Sequence, residues 1–103
     1  MALKKHFLKT RPACKVTFHV SPAQAQGALS IVLAGDFNQW SVRRHPMRRL
    51  KDGGFSLTLE LPAGRSFRFR YCAHGDRWFN DDAADGYSFC ALAQDDNSVL
   101  ILS

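Results

Sequence analysis

Cysteine is scarce in this chain, with three residues (Cys14, Cys72 and Cys90) among 103. An odd number cannot pair completely, which argues against a disulfide framework and for a reducing, cytoplasmic setting. Long apolar runs are missing too. The longest stretch free of Asp, Glu, Lys, Arg and His, residues 20–35, is diluted by Ser21, Pro22, Gln24, Gln26 and Gly27. A membrane-spanning helix needs about 20 apolar residues, so no membrane partner is expected. Near the amino terminus Phe7-Leu8 is followed at once by Lys9 and Arg11, whereas a secretory signal needs an apolar segment of roughly 7–15 residues. The expectation is a soluble protein. Glycine (7) and proline (4) are modest, and the apolar share of 46% and charged share of 22% are ordinary. Collagen-like, low-complexity and disordered chains are thereby excluded. The length suits one domain, residues 1–103, with a modest core and no cleft between two domains.

The side chains of catalysis are thin as well. His6, His19, His45 and His74 are scattered, without His-x-x-x-His or Cys-x-x-Cys spacing, so no metal is expected. Cys72 and His74 share a strand face, but two ligands do not make a site. The pairs Asp81-Asp82 and Asp95-Asp96 are adjacent. Neighbours on an extended strand point to opposite faces, so neither pair supplies the facing carboxylates of glycoside hydrolysis. Asp81-Asp82 reads instead as a turn cap. No phosphate-binding glycine loop or nucleophile elbow occurs. The chain is expected to hold no catalytic residue, metal or cofactor, and not to be an enzyme.

Acidic residues are also outnumbered, nine against fourteen Lys and Arg, for a net charge of +5. Such a balance tolerates a polyanion. The basic run Arg43-Arg44-His45-Pro46-Met47-Arg48-Arg49-Leu50-Lys51 could track phosphates beside an aromatic strand. However, Phe67, Phe69 and Tyr71 fall on the inward face, where they cannot stack on bases. A solvated basic loop and charged edge strand is the better reading, and nucleic acid is not the expected partner.

What the chain has in quantity is a period of two. Val16, Phe18 and Val20 alternate with Lys15, Thr17 and His19. Phe55, Leu57, Leu59 and Leu61 alternate with Ser56, Thr58 and Glu60, and Phe67, Phe69 and Tyr71 with Arg68, Arg70 and Cys72. Each is an antiparallel strand with one face on a core. Residues 29–34 and 99–102 are more continuously apolar and read as strands covered on both sides or at their ends. Turn residues separate these runs. Asp52-Gly53 predicts a hairpin between residues 47–50 and 55–61, and Pro62-Ala63-Gly64 a tight connection to residues 67–73. About seven short strands predict an all-β fold, an immunoglobulin-like antiparallel sandwich, with a small barrel as the alternative. No helix of two turns is expected, although residues 81–85 could form a single turn.

Two tryptophans follow turns, Trp40 in Gly35-Asp36-Phe37-Asn38-Gln39-Trp40-Ser41 and Trp78 in Gly75-Asp76-Arg77-Trp78-Phe79-Asn80. A large indole is usually mostly buried, so each could plug the core. Phe37 and Phe79 are alongside to fill that role, so the indoles could equally form one exposed platform.

The ordered set Val32-Leu33-Ala34-Gly35-Asp36-Phe37-Asn38-Gln39-Trp40-Ser41, Pro46-Met47, Phe55-Ser56-Leu57-Thr58-Leu59-Glu60-Leu61-Pro62-Ala63-Gly64, Phe67-Arg68-Phe69-Arg70-Tyr71, Trp78-Phe79-Asn80-Asp81-Asp82 and Asn97-Ser98-Val99 resembles one family. It is the glycogen-binding, isoamylase early-set type of carbohydrate-binding module (family 48), over residues 14–102. The chain is most similar to its small free-standing bacterial members. The resemblance implies non-catalytic binding of α-1,4-linked glucan. It implies that Trp40 and Trp78 stack on glucose rings while Arg70 and Asn97 meet sugar hydroxyls. The chain departs from the family pattern at His74, which replaces an acid, at Ser88-Phe89-Cys90, and over residues 91–95, where the Leu-x-Thr element has no counterpart. An alternative is therefore a protein-interaction module that keeps the fold without sugar. Its partner would be a glycogen-metabolising enzyme or a second copy in a homodimer.

Overall fold

The computed structural model describes residues 3–92 and 94–103. Outside them lie Met1, Ala2 and Ala93, the last within the stretch where the Leu-x-Thr element is missing. Among the described residues nine strands run β1 (Lys4–Phe7), β2 (Ala13–Val20), β3 (Ile31–Gly35), β4 (Arg48–Arg49), β5 (Phe55–Pro62), β6 (Ser66–Ala73), β7 (Arg77–Phe79), β8 (Gly86–Cys90) and β9 (Asp95–Ile101). One sheet has the order β1-β2-β5-β4, and the other β3-β6-β9-β8 with β7 also against β6. All the pairings are antiparallel. The architecture is the expected immunoglobulin-like sandwich.

The alternation explains the sandwich. Cys14, Val16, Phe18 and Val20 are buried along β2, and Phe67, Phe69, Tyr71 and Ala73 along β6. Phe18 lies edge-on to Phe69 at 5.2 Å between ring centroids, which brings the two sheets together at the middle of the core. Each such buried aromatic stabilises the fold by about 1.5–3 kcal/mol through area alone. Leu57 and Leu59 of β5, opposite Phe18 and Val16, are only partly buried.

Turn chemistry sets the connections. Gly53 has φ +91°, a conformation glycine adopts without strain. The backbone of Leu50 exchanges hydrogen bonds with Gly53 and Gly54, and Asp52 Oδ1 accepts from the Gly54 N–H at 2.8 Å. The expected hairpin forms, but its first strand is shorter than residues 47–50. Only Arg48 and Arg49 pair with β5, because residues 45–47 hold the edge of β3: Leu33 N–H donates to His45 and Met47 N–H to Ile31. The Pro62-Ala63-Gly64 connection carries the chain from one sheet to the other, so β5 and β6 are not neighbours.

The continuous apolar stretch 29–34 also begins later than expected. β3 starts at Ile31, and Leu29 is exposed, its N–H bonded to His74 Nε2. Residues 81–85 form no helix. One short helix, α1 (Pro22–Ala25), is capped by the Ser21 hydroxyl. No helix among the described residues is long and apolar enough to cross a membrane.

Candidate functional site

The chain leaves β3 into a single 3-10 turn, Asp36–Asn38, and this turn builds one wall of a cleft on the outer face of the second sheet. Asn38 is buried and pins the turn from within. Its Oδ1 accepts from Gly35 N–H, while its Nδ2 donates to the Leu33 carbonyl and meets His45 Nδ1 at 2.8 Å. Phe37 turns inward against Phe18 and Phe67, as the sequence suggested. Gln39 and Trp40 then take left-handed backbone, φ 55° and 57°. Such positions cost energy for residues other than glycine and persist where surroundings over-determine them. Here Trp40 N–H returns to the Gly35 carbonyl at 2.9 Å.

One carboxylate fixes the indole. Trp40 Nε1 donates to Asp36 Oδ1 at 3.1 Å, and Asp36 Oδ2 accepts from the Arg68 backbone N–H (2.8 Å) and from Arg68 Nε (3.2 Å). Burial alone would raise the Asp36 pKa, but these hydrogen bonds and the Arg68 charge outweigh it and hold it below 3.8. A depressed folded pKa contributes stability that is present above the ordinary value and lost as pH falls through the folded one. Asp36→Asn is therefore expected to lower the melting temperature by a few degrees at neutral pH. Wild type and variant should converge below the ordinary value of 3.8, which parallel thermal melts across pH would reveal.

The opposite wall is β7. Trp78 stands across from Cys72 on β6 and is 40% exposed. Its neighbours hold the strand still. Arg77 donates to the Ala25 carbonyl and lies 4.7 Å over the Phe79 ring, which packs on Tyr71. Asn80 then ties the end of β7 to β9 through the Asp96 carbonyl and the Ser98 hydroxyl.

Between the walls lies Arg70. Alternation places it outward, as expected, but it is only 8% exposed. Its Nε donates to Asn97 Oδ1 at 2.8 Å, and its Nη2 is buried with no hydrogen-bond partner. Asn97 is itself 6% exposed. All four residues singled out from the sequence, Trp40, Arg70, Trp78 and Asn97, line one cleft of about 550 Å³.

Arg68 and Cys90 complete the lining and were not anticipated. Arg68 sits two positions before Arg70, so the period of two could have found it. Cys90 carried no sequence signal. It reaches the cleft because β8 pairs with β9 and sets Cys90 opposite Asp95. The role of Asp36 was also missed, although it lies inside the Gly35–Trp40 motif.

Acid chemistry lies elsewhere. Asp81 caps a turn through Ala83 N–H, as read, yet it is buried and accepts a 2.6 Å bond from the Tyr71 hydroxyl. Burial raises its pKa against the lowering effect of those bonds. No group of three metal-ligating side chains occurs among the described residues. Cys72 is buried, which pushes its thiol pKa up, while His74 is exposed.

Residues 11–88 match the family described as carbohydrate-binding module 48 (isoamylase N-terminal domain). Three enzymes named 1,4-alpha-glucan branching enzyme are similar over shorter stretches. The one from Photobacterium profundum is 41% identical over 46 residues, 44% of this chain and 6% of the enzyme. That from Xanthomonas euvesicatoria is 39% identical over 54 residues, 52% of the chain and 7% of the enzyme. That from Oceanobacillus iheyensis is 30% identical over 54 residues, 50% of the chain and 8% of the enzyme. The chain thus spans less than a tenth of the length of these curated relatives. Both its sequence and its sandwich make the chain a member of the carbohydrate-binding module 48 family.

Proposed function

We propose that this chain binds α-1,4-linked glucan without catalysis, through the cleft between Trp40 and Trp78. The observation that carries this reading is the convergence of two indoles on a buried Arg70–Asn97 pair. An indole face covers the apolar C–H side of a pyranose at little entropic cost, because the side chain has few rotamers. Two indoles grip two glucose units, and a planar guanidinium with several fixed donors meets vicinal hydroxyls. Asn97 accepts from Arg70 and so fixes the orientation of that fork. Asp36 does the same for Trp40.

Titration with maltoheptaose, followed by tryptophan fluorescence at two salt concentrations, tests the reading. Saturable binding that barely responds to salt is expected, because a neutral ligand releases few counterions. Absence of any spectral change, or affinity for nucleic acid that falls steeply with salt, would sink it.

The second reading, a protein-interaction module, is favoured by one feature. β8 is an edge strand whose Tyr87 and Phe89 are 50% and 67% exposed. It predicts a stable homodimer or a co-purifying glycogen-metabolising enzyme in place of a glucan response.

A further inference from the structure

The cleft floor carries a charge that a neutral sugar leaves uncompensated. Arg70 is buried, its one side-chain acceptor among the described residues is the neutral amide of Asn97, and its Nη2 has no partner. None of the ion pairs among the described residues includes it. A charge held out of water is costly unless another charge meets it.

A second arginine stands beside it. Arg68 also lines the cleft, with more than half of its side chain exposed. Asp36 engages its Nε, and no other side-chain contact ties down the rest of the guanidinium among the described residues. None of the six lining residues is acidic. Asp36 and Asp95 lie beside lining residues. Asp36 is occupied by Arg68 and Trp40. Asp95, opposite Cys90, is exposed and accepts from the Asp96 N–H. Two guanidiniums on one strand face, with no acidic residue in the lining, leave the cleft cationic.

We infer that the cleft holds a subsite for an anionic substituent on the glucan, a phosphate monoester. This rests on the glucan reading above and names the form of polymer the site prefers. The indoles take sugar rings, and the arginine pair takes the tetrahedral dianion. Arg68 makes the direct contact through its exposed fork, and Arg70 supplies charge from beneath. Arginine matches phosphate oxygens in pairs, and such charge-assisted bonds are about twice as strong as neutral ones.

The test compares maltoheptaose with a maltooligosaccharide of the same length bearing one phosphate monoester, titrated against the intact chain. The phosphorylated ligand is expected to bind about tenfold more tightly at low salt, with the advantage shrinking as salt screens it. Arg68→Gln should abolish that advantage and Arg70→Gln reduce it, while Arg70→Lys keeps it. If Arg70→Gln does not fold, the exposed Arg68 carries the comparison. Equal affinity of wild type for the two ligands overturns the anionic subsite and leaves the glucan reading intact, and so does an advantage that survives high salt and the Arg68→Gln change. Failure to bind either ligand overturns the glucan reading itself. Glucose 6-phosphate should compete poorly, since it offers one ring to two indoles. Competition equal to that of the phosphorylated chain would make this a sugar-phosphate site and overturn the proposal.

Discussion

Replacing Trp40 with alanine is expected to bring retention on amylopectin to the level of a non-binding control while the melting temperature stays near that of the wild type. The two halves of this expectation have separate causes. Shallow sites depend on a few aromatic anchors, and truncating one costs about 2 kcal/mol or more, a factor of about thirty in affinity. A site built on two indoles has little binding left after such a loss. The fold, by contrast, does not lean on this side chain. Trp40 lies outside the apolar core cluster, its neighbour Phe37 packs there instead, and its backbone N–H bond to Gly35 survives truncation. Affinity electrophoresis in amylopectin gels, beside a thermal melt, reads both quantities. Equal retention of variant and wild type would remove Trp40 from the site, and a collapsed melt would make it a structural residue.

The sequence exposed the parts of this molecule that obey local rules. The period of two in β2 and β6 maps directly onto buried Val16, Phe18, Phe67 and Phe69. Asp52-Gly53 turns where its chemistry requires. What it left hidden depends on contacts between distant segments. β1 reads Lys4-Lys5-His6-Phe7 and is exposed throughout, so it has no burial pattern to betray it. It pairs with β2 along its whole length, and Lys5 reaches Asp85 and the Ile101 carbonyl across the open side of the sandwich. Asp81 looks like a surface turn residue, and only the fold reveals the Tyr71 hydroxyl and the Ser98 side chain around it.

The site divides along the same line. Alternation turns Arg70 away from the core, and nothing local says that two indoles from other segments then wall it in. Residue types for the proposed carbohydrate site were thus visible in the chain, as was the family resemblance that implies their roles. The burial of the guanidinium, the tether from Asp36 and the presence of Arg68 and Cys90 were not. The anionic subsite inferred above rests on these later features.

Gly35→Ala is expected to damage stability and glucan binding together, which separates it from Trp40→Ala. The backbone at Gly35 is ordinary extended chain, φ −173°, so conformational freedom is not the reason for glycine there. Space is. A Cβ at this position would stand 2.6 Å from the Arg68 carbonyl oxygen and 2.9 Å from both Phe69 Cβ and Phe37 Cζ. The phenyl ring of Phe37 can move aside, but the Arg68 carbonyl belongs to the strand that pairs with β3, where Gly35 faces Phe69. Relief requires β3 to part from β6 at the edge of the cleft. Overpacking of this kind costs about 1–3 kcal/mol, and in a domain of this size each kcal/mol lowers the melting temperature by about 4–8 °C. The same displacement reaches the site, because Gly35 N–H holds Asn38 and the Gly35 carbonyl holds Trp40. Moving that residue moves the first indole relative to Trp78, and on the glucan reading proposed above two rings that stack on successive glucose units tolerate little change in spacing. A melt lowered by roughly ten degrees with weakened amylopectin retention is the expected result. A variant with wild-type values for both would mean that β3 and β6 do not approach as closely at this point as the structure has them.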